Sequence, residues 1–300
     1  MRSISFFLFY FITRLIAFLP LRGMFVISDF SRFIAYYVVR YRRKTVAYNL
    51  KNSFPDKSPK ELKRIEKAYY KHFSDLFLEI IYMLHASKKK ADKICKFNNV
   101  DLIKKYYDEG KSVIVATGHY GNWEILSLIA YYVDHKVIGI YKPVRNKKFE
   151  EFINNSRERF GAIAVPMHDA FRTVLSYNQE GKLFFLGLIA DQTPARSEVR
   201  YWTTFLNQDT PVFLGVEKIA IKTNQPVFFC NMRKVSRGKY VIDFELLCDK
   251  PQETKPYEIT EMHVRALEKL INEAPENWLW SHRRWKFKRV DGKIVRQKIE

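Results

Sequence analysis

A chain that alternates short β-branched runs with stretches of helical period has few folds open to it, and this one alternates from Val113 onward. The run 113–117 precedes a helical pattern over 123–133, and 137–141 precedes 147–160. The run 162–165 precedes 170–178, and 183–190 leads into an irregular stretch. A helix over 212–222 follows, then two extended runs, 227–232 and 240–247, joined as a hairpin at Ser236-Arg237-Gly238. The expected fold class is therefore α/β, a mostly parallel sheet with covering helices. Ligands of such sheets collect at the carboxyl ends of the strands. His119, Arg145 and Asp191 each follow a predicted strand and are expected to converge there.

The sharpest local feature is the exit of the first strand, Thr117-Gly118-His119-Tyr120-Gly121-Asn122-Trp123-Glu124. Two glycines and an asparagine break the apolar run, which gives strand, tight turn, then helix. Residues five apart on a regular helix diverge by roughly 140°. Contact between His119 and Glu124 therefore requires His119 to lie in the turn before the helix. There one imidazole nitrogen pairs with the carboxylate and the other stays free as a base. That is the base-plus-orienter half of a triad, without a serine or cysteine nucleophile. The same interval recurs at His263 and Glu268, inside the glycine-free amphipathic run 259–271. Those side chains diverge on a helix, and the pair reads as surface chemistry.

Three hundred residues suffice for one such domain with a terminal extension, and 47% hydrophobic content excludes a disordered chain. Cys95, Cys230 and Cys248 show no CxxC spacing, so neither a disulfide framework nor a zinc site is expected, and a reducing compartment fits. No P-loop or GxGxxG motif is present, and no cofactor or metal is expected. The net charge of +20 calls for an anionic partner: nucleic acid, an anionic membrane surface, or an acidic substrate or carrier protein. The basic residues are spread along the chain without any RNA-binding or zinc-finger signature, which argues against nucleic acid.

Residues 4–21 are strongly apolar, interrupted by Arg14 and closed by Pro20. A second apolar stretch, 24–39, contains Asp29 and Arg32 and runs into the basic cluster Arg40, Arg42, Arg43 and Lys44. The first stretch is marginal as a spanning helix. One short span or two helices lying in the interface are the alternatives. Either way the basic cluster stays cytoplasmic. No small-residue cleavage site follows, so a removed signal peptide is not expected. The division is residues 1–44 as N-terminal membrane-associated helices and residues 45–300 as the catalytic domain. Within the latter a short helix covers 45–54. Ser58-Pro59-Lys60-Glu61 starts a helix reaching about His85, and lysines 88–90 form a solvated linker.

Further segments align in order with the strand exit. Upstream stand Tyr41-Arg42-Arg43 and Asn49-Leu50-Lys51-Asn52-Ser53-Phe54-Pro55. Downstream stand Tyr141-Lys142-Pro143 with Asn146, Arg157-Glu158-Arg159-Phe160-Gly161, Asp191-Gln192, and Trp280-Ser281-His282-Arg283-Arg284-Trp285-Lys286. Together with Gly118–Glu124 they resemble the bacterial lipid A biosynthesis acyltransferase family, within the lysophospholipid acyltransferase superfamily. The chain departs at Phe205-Leu206-Asn207, where that family's pattern has a Phe-Phe-Gly turn.

The resemblance implies a membrane-bound O-acyltransferase at the cytoplasmic face of the bacterial inner membrane. Its donor is an acyl thioester on acyl carrier protein or coenzyme A, and its acceptor is a glycolipid hydroxyl, most directly a lipid A precursor. A thioester is already activated, so a base and an oxyanion stabiliser suffice. His119 takes the hydroxyl proton and Glu124 holds its tautomer. Arg159 binds phosphate or oxyanion charge, Asp191 holds a basic residue near the strand ends, and Asn122 and Arg145 join the substrate-binding set. Arg283 and Arg284, flanked by tryptophans, suit a headgroup surface. Alternatives are another acceptor such as an aminolipid, a thioesterase using water, or a non-catalytic basic membrane-surface protein.

Overall fold

The computed structural model describes residues 2–297, with side chains from Ser5 onward; the side chain of Ile4, at the head of the first apolar stretch, lies outside the described residues. The chain opens with helices α1 (Arg2–Phe18), α2 (Leu21–Phe33), a π turn (Ile34–Val38), α3 (Arg43–Ser53) and α4 (Pro59–His85). A capping box starts α4. The Glu61 N–H donates to Ser58 Oγ (3.3 Å) and the Ser58 N–H donates to Glu61 Oε2 (2.8 Å). As its period requires, α4 buries Ile65, Tyr69, His72 and Leu76 along one face. Short α5 (Lys88–Ala91) carries the three lysines, all exposed, and is followed by β1 (Cys95–Phe97) and α6 (Val100–Asp108).

The alternating region then runs β2 (Val113–Thr117), a 3₁₀ helix (Trp123–Tyr131), β3 (Lys136–Tyr141), α7 (Lys147–Glu158), β4 (Ile163–Pro166), α8 (Ala170–Gln179) and β5 (Phe184–Ile189). After it come β6 (Tyr201–Phe205), β7 (Gln208–Val212), α9 (Gly215–Thr223), β8 (Val227–Ser236), β9 (Lys239–Cys248) and α10 (Glu258–Glu273). The seven-stranded sheet has the order β1-β9-β8-β2-β5-β3-β4. Neighbours from β8 to β4 are parallel, β9 is antiparallel to β8, and β1 is parallel to β9. The expected mostly parallel sheet is present, with the late hairpin as its antiparallel part. Strand β2 is buried along its whole length between two helical layers, which is why its sequence is apolar without alternation. Its register against β5 places Thr117 opposite Ile189. Two residues further along each chain, His119 and Asp191 therefore leave the sheet side by side.

The stretch expected to be irregular contains an antiparallel hairpin, β6–β7. Its tip is Leu206-Asn207, both with positive φ (48° and 61°), the conformation of a two-residue I′ turn. Leucine is a poor residue for that conformation, so the turn signal in the sequence is weak. Glu268 secures the tip by accepting the Leu206 N–H at 2.5 Å, and it also binds the Arg265 guanidinium.

The reading of His263 and Glu268 as surface chemistry is overturned. His263 lies in the buried face of α10 with Ile259, Thr260, Val264 and Leu267. Burial pushes its imidazole down to about 4, so it is neutral in the core. The two side chains do diverge, but one enters the core and the other supports the hairpin.

Helix α2 packs on α4 through a polar knot around the buried Asp75. Ser28 donates to Asp75 Oδ1 (2.7 Å), and Arg237, in the β8–β9 turn, binds Asp75 (2.6 Å) and Asp29 (2.9 Å). The opposite faces carry continuous exposed apolar stripes, Phe7, Phe11, Leu15 and Phe18 on α1, then Val26, Phe30, Phe33 and Tyr37. No helix among the described residues is long and apolar enough to cross a membrane.

Since His263 is a core residue, His263→Ala should lower unfolding free energy by roughly 1–3 kcal/mol through the cavity it leaves. Thermal unfolding would read this, and a loss below about 0.5 kcal/mol, the range of surface changes, would return His263 to the surface class.

Candidate active site

The β2 exit needs a residue without a side chain at 118. A Cβ there would lie 2.8 Å from both methyl carbons of Leu267 and 3.1 Å from Asp191 Oδ2. Glycine therefore lets the His119 backbone close onto Asp191. Its N–H donates to Asp191 Oδ2 at 2.8 Å, and its ring Nδ1 stands 2.6 Å from Asp191 Oδ1. The third donor is Trp278 Nε1, 2.8 Å from Oδ2. The tryptophan arrives from the segment after α10, which pairs with the turn through a bridge between Tyr120 and Trp278.

Burial by itself would push the Asp191 carboxyl up. The pull of His119 when its ring is protonated, its two hydrogen bonds and the Trp278 N–H more than offset this and bring it down to about 2. An ionised carboxylate only accepts, so Nδ1 carries a proton. The Gln192 side-chain amide stands 3.1 Å from Nε2 and donates to it. The Trp123 ring meets the imidazole edge-on at 4.9 Å. The arrangement is an imidazole whose Nδ1–H is fixed on a buried carboxylate, with its other nitrogen turned away from that carboxylate.

The expected partner of His119 is elsewhere. Glu124 sits on the 3₁₀ helix beyond Trp123 and is held in a two-pronged pair by Arg157, Nη2 to Oε1 at 2.8 Å and Nε to Oε2 at 2.9 Å. The strand register brings Asp191 to the ring, while the helix carries Glu124 away from it. Arg159, two residues beyond Arg157, donates to the carbonyls of Met83 and Leu84 at the end of α4. Asn122 is fully buried behind the turn and donates to Glu79 (3.2 Å), whose carboxyl burial pushes up and which also accepts from Tyr240 (2.7 Å). Arg145 is exposed in the loop after β3. Of the expected site residues, the fold thus brings His119 and Asp191 into contact, sets Glu124 one residue past Trp123, and places the rest around them.

The sequence assigns no role to Arg157, Gln192 or Trp278. The one sequence signal for Arg157 is its place four residues after Ile153 on a helical period; in the structure it is half-buried, whereas Arg159 is exposed. The C-terminal tail is also not a headgroup surface throughout. Arg283 is exposed, but Arg284 is buried, and Trp278, Trp280 and Trp285 form a buried cluster with ring centres 4.7–5.9 Å apart.

A model of the family described as bacterial lipid A biosynthesis acyltransferase matches residues 1–287. The chain belongs to that family. It is also 20% identical, over 243 residues covering 80% of this chain and 74% of the relative, to the lipid A biosynthesis acyltransferase of Haemophilus influenzae. The protein is accordingly an acyltransferase. An imidazole with one nitrogen committed to a carboxylate and the other free to take a proton suits acyl transfer to a hydroxyl, which needs a base but no covalent nucleophile on the enzyme.

The depressed Asp191 carboxyl ties stability of this acyltransferase to pH. A group at about 2 when folded and near 3.8 otherwise contributes about 2 kcal/mol, fully present above pH 4 and lost as pH falls through 2. Asp191→Asn should therefore be less stable than the parent at neutral pH, with the gap narrowing between pH 4 and 2 in denaturant titrations. A gap that stays constant over that window would contradict an ionised buried carboxylate.

Proposed function

We propose that this acyltransferase moves a fatty acyl chain from a thioester, on acyl carrier protein or coenzyme A, to a hydroxyl of a glycolipid, a lipid A precursor. The observation that carries this reading is the Asp191-bound His119, edge-on to Trp123, with an apolar cavity opening behind that tryptophan. The cavity holds about 80 Å³ and is lined by Leu126, Ile138, Ile140, Phe185 and Ile189, with Glu124 and Arg157 at its polar end. Gly139 and Gly187 face each other in register on β3 and β5 and leave the sheet bare there. An acyl chain suits such a floor, and the thioester carbonyl would then lie near Trp123.

The acceptor hydroxyl replaces the Gln192 amide at Nε2. His119 takes its proton as the oxygen attacks the thioester carbon. The tetrahedral oxyanion collapses, the C–S bond breaks, and the imidazolium returns the proton to the departing thiolate. Asp191 steadies the imidazolium while it exists. Glu124 serves by holding Arg157 at the cavity mouth, where its guanidinium meets developing negative charge. Arg159, in contrast, serves α4. The +20 chain favours encounter with an acidic carrier or an anionic surface.

The exposed stripes on α1 and α2 support attachment by helices lying in the interface, with residues 1–44 as the anchoring unit, at the cytoplasmic face of the inner membrane. A high-salt wash should leave the chain on membranes and detergent should release it; release by salt alone would remove the hydrophobic anchor from the account.

The reaction is tested with the full chain in detergent, an acyl-carrier thioester or acyl-coenzyme A, and a lipid A precursor, followed by mass spectrometry. The precursor should gain one acyl chain, and His119→Ala should slow this by roughly 10² to 10⁴. No mass gain with either donor would contradict the reading, and acylation of an aminolipid in its place would reassign the acceptor.

A further inference from the structure

Beside Asp191 lies a small chamber between β2, the hairpin β6–β7, α10 and the C-terminal segment, and His119 is not in its lining. Its lining includes Thr117, Asp191, His263, Leu267 and Arg284. By volume, about 10 Å³, it has room for roughly one water. Arg284 is only 1% exposed. It donates once, from Nη2 to the Pro211 carbonyl at 2.8 Å, while Nε and Nη1 have no hydrogen-bond partner among the described residues. His263 Nε2 is likewise without one.

A buried guanidinium with one hydrogen bond is costly unless a countercharge faces it. Burial pulls Arg284 down to about 10, and Asp191 is the charge that opposes this pull. The other ionisable groups around the pair do not replace it. His263 and His282 are each pushed down to about 4 by burial and are neutral. Glu124 is committed to Arg157, Glu261 is paired with Arg265 and Tyr201, and Lys286 is a further positive charge near His282.

We propose that Arg284 is a positioning residue for acyl transfer: from the chamber beside the carboxylate it holds Asp191 ionised and keeps His119 uncharged between turnovers. This rests on the function proposed above. The reason is charge balance in a dry site. Asp191 and Arg284 together are neutral while the imidazole is neutral, so His119 waits as a base. Without Arg284 the neutral combination would be carboxylate plus imidazolium, and the base would already hold the proton it has to take. When His119 does accept the hydroxyl proton, its new charge is matched by the oxyanion rather than by a residue. Arg284, with its two orphaned nitrogens, and Asp191 line the same chamber, so among the described residues no other side-chain charge stands between the guanidinium and the carboxylate there.

The test uses the full chain in detergent with ring-labelled histidine, following the His119 imidazole resonance against pH together with the acid limb of kcat/KM. Arg284→Gln keeps a donor for Pro211, and Arg284→Met keeps the apolar stem; either removes the charge, and whichever folds is read. His263→Leu alters the same chamber without changing charge. The neutral variants should move the His119 midpoint and the acid limb up by about one pH unit, as expected when one like charge is removed from a nearby site. His263→Leu should leave both unmoved. An unmoved midpoint in a folded neutral variant, or an equal shift in His263→Leu, would overturn the proposal. The His119 titration is readable whatever acceptor the enzyme uses, so this outcome is separate from failure of the proposed reaction.

Discussion

A carboxylate kept ionised inside a protein must be surrounded by donors, and in this chain the solution for Asp191 fixes much else. Its two oxygens take the His119 N–H, the His119 ring and the Trp278 indole. To supply the first two, β2 and β5 must be neighbours in a register that pairs Thr117 with Ile189. To let the backbone approach, residue 118 must be glycine, since a Cβ would meet Leu267 and Asp191. To supply the third, the segment after α10 must fold back across the sheet end, and the tryptophan cluster holds it there. Asn49 assists by donating to the carbonyls of Trp280 and His282, which ties α3 to the same segment. Distant parts of the chain thus meet at one carboxyl group.

Much of the fold was legible because its signals are local. Continuous apolar runs bounded by polar turns gave the parallel strands, and the Ser58-Pro59-Lys60-Glu61 cap placed the start of α4 where it is found. The β6–β7 hairpin was not legible, because Leu206 occupies a left-handed position usually marked by glycine or asparagine. His263 shows a different limit. A histidine in an amphipathic helix reads as polar, and only the packing of α10 against β2 and the hairpin makes it a core residue.

The site was half legible for the same reason. His119 and its turn are a local pattern, so they stood out. Its partner is 72 positions away and comes from a neighbouring strand, so sequence spacing favoured Glu124, five residues along. Asp191 is expected near the strand ends, and it is found there in contact with His119. The two arginines of Arg157-Glu158-Arg159 illustrate the sensitivity to helical phase. A shift of two residues separates a guanidinium facing Glu124 from one serving the end of α4.

The central claim is that the carboxylate orienting His119 is Asp191 and not Glu124. It is tested most directly by comparing Asp191→Asn and Glu124→Gln in acyl-transfer assays across pH, each variant first shown to be folded. Asparagine can present its amide to Nδ1 and favour the wrong tautomer, so Asp191→Asn should lose roughly four decades in kcat with little change in donor binding. Glu124→Gln keeps His119 and Asp191 intact and loosens Arg157, so its smaller loss should show no change in the acid limb. A folded Asp191→Asn enzyme with near-parent kcat, or a Glu124→Gln enzyme whose acid limb moves while that of Asp191→Asn does not, would contradict the account.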